Sequence, residues 1–365
     1  MYQQTTSISE VRAEQVASKR YQLIKLGLDV HAEWIVVVRI LDNSAPQRAQ
    51  KFKPADFLKW VRTQLAQADK VYSCYEAGPF GFVLHRQLTA LGVENLIMQP
   101  VCLDEHRKNV NHDKSDAREL AQRLDRYVAG NDKALARVRV PTPEQEQKRI
   151  ASRQREQLKR EVLRLGAEGR SLLLSQGYRE KKGWWERKRW SALQEQLPEW
   201  LRQHLEVFRR LLQEVVRELE VATKTISTVA AKVRPKGLGR LTYEIIEREV
   251  IDWKFFRNRR QIGSYTGLCG GISSSGNSQR LLSITKHGNA RLRTALVELA
   301  WRWLVWQPQS KLVRKWWPIM GARRATAGAR KKAIVAMARQ LAIDLWRWRT
   351  GRITPEQLGW IMIED

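Results

Sequence analysis

Cysteine and long apolar runs are scarce in this chain, and each scarcity excludes a class of protein. Only 3 of the 365 residues are Cys. Cys74, Cys102 and Cys269 are far apart and odd in number, so they predict neither a zinc site nor a disulfide framework. We therefore expect a reducing compartment, most simply the cytoplasm. No stretch approaches the apolar length of a membrane span, and residues 1–19 lack the apolar core of a signal peptide.

Acidic residues are also in short supply. The chain has 38 Asp and Glu against 66 Lys and Arg, which gives a formal net charge of +28 and a pI near 10.5. Hydrophobic residues make up 43%, so the chain is globular rather than disordered. Such a basic surface attracts polyanions, because each phosphate contact releases condensed counterions. A nucleic-acid partner is the expectation; a ribosomal or membrane-surface protein is the competing interpretation.

The pattern of residues 21–140 is typical of an α/β domain, preceded by an N-terminal extension at 1–20. Alternating and continuous apolar runs predict a hairpin over 21–41 that turns near 31–33. The further predictions are a strand at 48–52, a helix at 57–68, a strand at 71–75, a helix at 80–91, a strand at 95–99 and a helix at 114–128. A three-strand meander followed by strand–helix alternation is the layout of a ribonuclease-H-like domain.

Beyond residue 140 the strand signals largely stop. An apolar heptad seam from Leu201 to Val233 predicts a long coiled-coil helix, and the helical stretch 144–174 is a candidate antiparallel partner. A basic, tryptophan-rich tip at 183–190 separates the two helices. Pro235 ends the seam, and the remainder is expected to be mainly helical, with one Gly/Ser-rich loop at 263–278. We therefore predict a coiled-coil region over 141–234 and a C-terminal domain over 235–365.

Four acids are the candidate metal ligands: Asp29, Glu76, Asp113 and Asp116. The first two end predicted strands, and the other two begin the closing helix three residues apart, on one face. At one edge of a ribonuclease-H-like sheet they would repel each other unless a cation neutralised them. Oxygen ligands select Mg²⁺ or Mn²⁺, which can clamp the oxygens of a phosphodiester displacement. The competing interpretation is a helix cap and three turn acids.

A serine run lies in the Gly/Ser-rich segment, at Ser273, Ser274 and Ser275. A hydroxyl there is a candidate nucleophile toward a phosphodiester, and nearby cations would stabilise the transition-state charge. Those cations are Arg280, Lys286, Arg291 and Arg293. The alternative is a phosphate-binding or merely flexible loop, and the residues alone favour it.

Three further groups are candidates for contacting nucleic acid. Gly237 and Gly239 precede a helix and would expose backbone N–H groups to phosphate, unless they form an ordinary turn. The tip residues offer base stacking and phosphate contacts, and a basic run offers a backbone-contacting surface. These candidates are Trp184, Trp185, Arg187 and Arg189 at the tip, and Arg323 and Arg324 in the run. His112 and His287 have no ligand partner at helical spacing, so we assign no zinc.

Taken in order, the motifs resemble a known family. They are Gly-Leu-Asp-Val at 27–30, Tyr-Glu-Ala-Gly-Pro at 75–79, Asp-Lys-Ser-Asp-Ala at 113–117, Tyr-Thr-Gly-Leu at 265–268, Ser-Ser-Gly at 274–276 and Ile-Thr-Lys-His-Gly-Asn-Ala-Arg-Leu-Arg at 284–293. The chain resembles the DEDD transposases of bacterial insertion sequences, the insertion-sequence-110 type, from about Lys25 to Gln309. One departure is Gly270–Gly271, where a proline is expected.

The resemblance implies a RuvC-like first domain in which Asp29, Glu76, Asp113 and Asp116 bind Mg²⁺ or Mn²⁺. It implies Ser275 as the nucleophile, with Ser274 as the fallback, in a DNA-strand exchange at the ends of a mobile element and at its target. It further implies a structured non-coding bridge RNA as guide. It also implies a homodimer or homotetramer, in which the acids of one subunit and the serine of another form one active site. The enzyme would be cytoplasmic and associated with the nucleoid.

Two other functions compete with this hypothesis. A metal-dependent junction-resolving nuclease would cleave DNA without Ser275 and form no protein–DNA adduct. A non-catalytic scaffold for nucleic acid would be indifferent to metal, while salt would abolish its binding.

Overall fold

The computed structural model describes residues 21–99, 113–229, 233–275 and 278–364. The predicted extension at 1–20 lies outside these ranges. The chain divides after Val140 into two compact units. The first is mixed α/β and the second is mainly helical, which confirms the prediction at this level. Within the described ranges, no helix combines the length and the apolar character needed to cross a membrane.

A five-stranded sheet forms the centre of the first unit. Its strands are β1 (Tyr21–Val30), β2 (Ile35–Leu41), β3 (Gln50–Phe52), β4 (Ala68–Glu76) and β5 (Glu94–Met98). They lie in the order β3-β2-β1-β4-β5. The first three form the predicted antiparallel meander, whereas β4 and β5 run parallel to β1. β1 is therefore central, which explains why it is nearly continuously buried from residue 24 to residue 28.

Helices cover both faces of this sheet. They are α1 (Pro54–Gln67), α2 (Val83–Ala90) and α3 (Asp113–Val128). Ile24, Leu26 and Leu28 of β1 pack with residues of α1 and α2 on one face. On the other face, Ala117 and Ala121 of α3 pack against β2. Side chains alternate along a strand, so one strand contributes to both layers.

Helix α3 lies unusually close to β1, and Gly27 is the reason. A Cβ added at Gly27 would stand 2.2 Å from the backbone nitrogen of Ala121 and 2.3 Å from the carbonyl oxygen of Ala117. Only a residue without a side chain allows this approach. The glycine of the first motif therefore fixes the position of the closing helix on the sheet.

The second unit contains nine helices in its described part. They are α4 (Pro143–Ser175), α5 (Arg187–Leu193), α6 (Glu199–Thr228), α7 (Arg240–Val250), α8 (Arg259–Tyr265), α9 (Ala290–Trp306), α10 (Lys311–Met320), α11 (Ala327–Arg349) and α12 (Pro355–Leu358). Short strands β6 (Val233–Pro235) and β9 (Met362–Glu364) pair antiparallel. The remaining two strands are β7 (Gly270–Ser275) and β8 (Ser278–Ile284). Helices α7, α9, α10 and α11 surround a single apolar core.

The long helices α4 and α6 lie side by side and run in opposite directions. Arg155 near the start of α4 donates from Nε to Thr223 Oγ1 near the end of α6, at 2.8 Å. At the opposite end, Leu173 of α4 shares a buried cluster with Leu201 and Leu205. The apolar seam of α6 is thus buried within this chain rather than left open for a second copy.

The tryptophan-rich tip is part of the core, which contradicts the prediction that Trp184 stacks on bases. Trp184 is 0% exposed, and its Nε1 donates to the carbonyl oxygen of Gly166 at 3.1 Å. The Trp184 ring fills the space that a Cβ at Gly169 would need, and the Trp185 ring fills the space that a Cβ at Gly166 would need. Trp185 is half-buried. Two glycines of α4 therefore make room for two indole rings, a packing role that sequence spacing across 15 to 19 residues does not reveal.

The Gly/Ser-rich segment is also not a loop. β7 and β8 pair antiparallel, with Ser273 opposite Arg280 and Ser275 opposite Ser278. Residues 276 and 277, which join the strands, lie outside the described residues. Backbone pairing with a partner strand that contains Leu281, Leu282 and Ile284 offsets the low strand propensity of Gly and Ser.

Candidate active site

Asp29 and Glu76 lie at the same end of two adjacent parallel strands, β1 and β4. Leu28 of β1 pairs with Tyr75 of β4, and each acid is the next residue along its strand. Glu76 also pairs with Met98 of β5. The predicted convergence of these two acids at one sheet edge is therefore what the strand register produces.

Both acids belong to the sheet face that α3 covers. Gly27 faces α3, as its close approach to Ala117 shows. Its partner Cys74 faces the same helix, because the Sγ of Cys74 donates to the carbonyl oxygen of Leu120 at 3.3 Å. Side chains repeat every two residues along a strand. Asp29 and Glu76, each two residues further on, therefore belong to that face.

The direction of α3 brings its first turn to this end of the sheet. Lys25 near the middle of β1 donates from Nζ to Asp125 Oδ1, at 2.5 Å, near the end of the helix. Two residues along β1, Gly27 lies against Ala117, near the start of the helix. The helix thus runs opposite to β1, and its first residues, Asp113 to Asp116, lie toward the end of β1 that carries Asp29.

Local contacts define the electrostatics of the acids. Asp29 Oδ2 lies 2.9 Å from His31 Nε2, so a protonated His31 would offset part of its charge. Asp116 accepts a hydrogen bond from the Ser115 hydroxyl at 3.3 Å. Burial raises the pKa of the Cys74 thiol, and the negative charge of Glu76 raises it further. Glu76 therefore adds negative potential to the layer between β4 and α3.

These acids supply oxygen ligands of the type that Mg²⁺ and Mn²⁺ prefer. Among the described side chains, no three His, Cys, Asp or Glu residues are grouped closely enough to hold a metal ion. The side chain of Asp113 lies outside the described residues. The backbone register brings the acid positions to one end of the sheet, and the donor chemistry fits a hard divalent cation.

The serine candidates lie on β7 in the second unit. Ser275 is the last residue of the strand, and Ser273 and its pair Arg280 are exposed. The side chains of Ser274 and Ser275 lie outside the described residues.

Two of the predicted cations are engaged within the protein. Arg293 donates from Nη1 to the carbonyl oxygens of Thr266 at 3.1 Å and Lys286 at 3.2 Å, which ties together the two ends of the β7–β8 hairpin. Arg291 forms an ion pair with Glu156 of α4. Lys286 is exposed and has a positive φ of 57°. Arg280 and Lys286 are therefore the members of this group that can reach a ligand without breaking an observed contact.

Sequence reasoning missed a buried carboxylate at the base of the same hairpin. Glu249 is 1% exposed, and its Oε2 accepts from Asn289 Nδ2 at 2.7 Å and lies 3.5 Å from Arg149 Nη2. The Tyr265 hydroxyl donates to the Glu249 carbonyl oxygen at 2.7 Å, and burial raises the pKa of this tyrosine. In the sequence, the only sign that Glu249 is buried is the apolar residues around it in α7, and that pattern is common.

The remaining nucleic-acid candidates divide into structural and exposed residues. Gly237 has a φ of 88°, and a Cβ there would lie 2.7 Å from Trp306 Cβ, so turn geometry and packing account for this glycine. Gly239 is the N-cap residue of α7. The exposed candidates are Arg187, Arg189, Arg323 and Arg324.

Comparison with known proteins gives consistent results. The model of the "Transposase IS116/IS110/IS902 family" matches residues 234–314. A Sinorhizobium fredii protein that bears the transposase name y4rJ is 32% identical over 304 residues, which cover 75% of each chain. The transposase for insertion sequence element IS1533 of Leptospira borgpetersenii is 23% identical over 76% of this chain and 85% of its own.

Together with the basic composition, these similarities define the class: the protein is a transposase, an enzyme that cuts and rejoins DNA. Within that class, the chain belongs to the IS116/IS110/IS902 family of insertion-sequence transposases. Its substrates are accordingly DNA.

Proposed function

We propose that this transposase is a two-part enzyme in which Asp29, Glu76, Asp113 and Asp116 bind divalent metal and Ser275 attacks the DNA strand. One observation carries the proposal: β1 and β4 end together in acids on the sheet face covered by α3, whose first turn supplies two more. Four acids from three separate segments at one end of a sheet are costly unless a cation offsets their repulsion.

The proposed fold of the first unit is ribonuclease-H-like, of the RuvC type. A meander β1–β2–β3, extended by β4 and β5 parallel to β1 in the order β3-β2-β1-β4-β5, supports it. In the second unit, we assign the antiparallel helices α4 and α6 to a coiled coil. Their buried heptad seam, with Leu201, Leu205 and Leu212, supports this assignment.

Mg²⁺ or Mn²⁺ at the four acids would supply Lewis-acid stabilisation of the oxygens exchanged at phosphorus. Asp29 and Glu76 hold their positions through strand register, and Asp116 holds its position through α3. His31 orients the Asp29 carboxylate through their 2.9 Å contact. The short distance between α3 and β1, which Gly27 permits, keeps both sets of acids at the same end of the sheet.

In the proposed chemistry, the Ser275 hydroxyl oxygen forms a bond to the DNA phosphorus, and the bond from phosphorus to one strand oxygen breaks. The serine proton passes to that oxygen, which leaves as a hydroxyl. Rejoining reverses the step: a strand hydroxyl attacks the phosphoserine and the proton returns to serine. The exposed Arg280 and Lys286 are suited to stabilise the added charge on phosphorus.

The proposed partners are donor DNA, target DNA and a non-coding bridge RNA, in a homodimer or homotetramer. The net charge of +28 supports extensive phosphate contact. Because the α6 seam is buried against α4, subunits would have to associate through other surfaces. Exposed apolar residues of α6, Val207, Leu211 and Val221, offer one such surface.

A strand-exchange assay with four variants tests the two-part site. Asp29→Ala and Ser275→Ala should abolish exchange, whereas Asp56→Asn and Ser273→Ala should retain it, since Asp56 and Ser273 are exposed and outside the proposed site. Chelation of divalent metal should also abolish exchange, and Mg²⁺ should restore it. Wild-type exchange by either Asp29→Ala or Ser275→Ala would end the proposal.

A denaturing gel separates this mechanism from its main competitor. The proposed mechanism predicts a protein–DNA adduct that Ser275→Ala eliminates. Metal-dependent cleavage that persists in Ser275→Ala without any adduct would identify a junction-type nuclease instead.

A further inference from the structure

A cavity in the second unit is lined mainly by arginine. It lies between α8 and α11 and has a volume of about 370 Å³. Six residues line it: Arg259, Arg260, Arg339, Gln340, Ile343 and Arg347. Sequence reasoning overlooked this site because its arginines come from segments about 80 residues apart.

These four guanidinium groups lack matching negative charge. Asp344 is the neighbouring carboxylate: its Oδ1 lies 4.0 Å from Arg347 Nη1 and accepts from Gln340 Nε2 at 2.8 Å. Across the described ranges, no carboxylate lies within ion-pair distance of the side chains of Arg259, Arg260 or Arg339. Four like charges around one cavity repel each other, so an anion that enters it gains attraction from all of them.

Arg339 is held in this site by packing rather than by an ion pair. Its Nε lies 3.1 Å from where a Cβ on Gly263 would be, so the glycine of α8 makes room for the guanidinium. The Nε is buried and, within the part of the chain that the structure describes, has no hydrogen-bond partner. Fixed guanidinium groups bind phosphate oxygens with little loss of side-chain entropy.

We propose that this arginine pocket binds a backbone phosphate of the DNA strand. A phosphodiester offers two charged oxygens, which match the paired donors of guanidinium groups. The volume is at the low end for ligand sites, so it suits a phosphate and its sugar rather than a base pair.

The location of the pocket gives this phosphate a role in positioning the strand. Arg339 Nε and Cys269 Sγ both border Gly263, and Cys269 directly precedes β7. A strand held in the pocket is therefore anchored at the base of the hairpin whose first strand, β7, ends in Ser275. This role rests on the proposed function, whereas phosphate binding by the pocket does not.

Salt-dependent binding of DNA to the full chain tests the pocket directly. Divalent metal is omitted, so that cleavage does not occur, and the probes are single-stranded and duplex DNA and RNA of one sequence. Arg260→Gln and Arg347→Gln each remove one pocket charge. Arg210→Gln is the matched control, because Arg210 is an exposed arginine of α6 in the same unit.

Each pocket variant should reduce the slope of log affinity for DNA against log salt, by up to about 0.7–0.9, the amount for one fully lost phosphate contact. The control should keep the wild-type slope. DNA in which single phosphates are replaced by neutral methylphosphonates should show one position whose effect disappears in Arg260→Gln. Such coupling identifies a direct contact rather than a general loss of charge.

Slopes for both pocket variants that equal the wild-type slope would overturn the proposal. A loss confined to the RNA probes would also overturn it, because the pocket would then serve RNA rather than the DNA strand. Inorganic phosphate at matched ionic strength should raise the melting temperature of the wild type more than that of Arg260→Gln, and equal shifts would contradict the pocket. If the binding test contradicts the pocket, the strand-exchange test of Asp29 and Ser275 is unaffected. If the strand-exchange test contradicts the two-part site, the binding results for the pocket still hold.

Discussion

Replacing Gly27 by alanine separates the closing helix from the central strand. The new methyl group would lie 2.2 Å from the Ala121 nitrogen and 2.3 Å from the Ala117 carbonyl oxygen, whereas ordinary contacts are 3.4–4 Å. Both neighbours are backbone atoms of α3, so no side chain can rotate away. The helix must therefore move by more than about 1 Å, which in a packed core costs about 1–3 kcal/mol.

The displacement should affect activity more than stability. Asp116 moves with α3, while Asp29 and Glu76 stay with the sheet. Catalytic groups misplaced by about 1 Å lose roughly 100-fold in rate. We therefore expect Gly27→Ala to remain folded below its lowered melting temperature and to exchange strands about 100-fold more slowly.

Two glycine controls separate the contact from the general effect of adding a methyl group. Gly78→Ala, in the same unit, meets no atom closer than 3.9 Å and should keep or slightly raise the stability measured by urea unfolding. Gly328→Ala, which is equally open, should retain wild-type exchange. A Gly27→Ala protein with wild-type stability and exchange would refute the claimed close packing of α3 on β1.

Two further predictions concern the second unit. Trp184→Ala should destabilise the protein by about 3–5 kcal/mol in urea unfolding, because a fully buried indole is lost. At urea concentrations below the unfolding transition, its affinity for single-stranded DNA should match that of the wild type. A selective loss of this affinity would support the stacking hypothesis instead. Burial raises the pKa of Asp344 to about 6. Since this exceeds the ordinary value of 3.8, stability from the neutral carboxyl is present below pH 4 and is lost as pH rises through 6. Asp344→Asn should therefore be stabilised relative to the wild type by about 3 kcal/mol at pH 8 and hardly at pH 4; an equal difference at both pH values would contradict the assignment.

Much of the first unit could be predicted because its signals are local. Alternation and apolar runs placed β1 at Tyr21–Val30 and β2 at Ile35–Leu41 close to the predicted hairpin, and the helix predicted at 114–128 begins one residue earlier. The same patterns put Asp29 and Glu76 at strand ends. Parallel pairing of those strands, which the tertiary structure supplies, then makes the two acid positions neighbours.

The second unit shows where such reasoning fails. The tip around Trp184 has no helical period that marks it as buried, because the surface it covers belongs to Gly166 and Gly169 of another helix. The serine segment has low strand propensity, yet it pairs with a neighbouring strand. For the tip, the decisive partner is the backbone of a helix 15 to 19 residues earlier in the chain, and for the serine segment it is the strand that follows directly.

The sequence by itself determined the strands and helices of the first unit, the two long helices α4 and α6, the excess positive charge and the acids that end two strands, since these depend on residues a few positions apart. Tertiary structure alone decided how closely α3 approaches Gly27, that the α6 seam is covered by α4, and that arginines from α8 and α11 line one cavity. Those features depend on packing between distant segments, where the fit of surfaces decides the outcome.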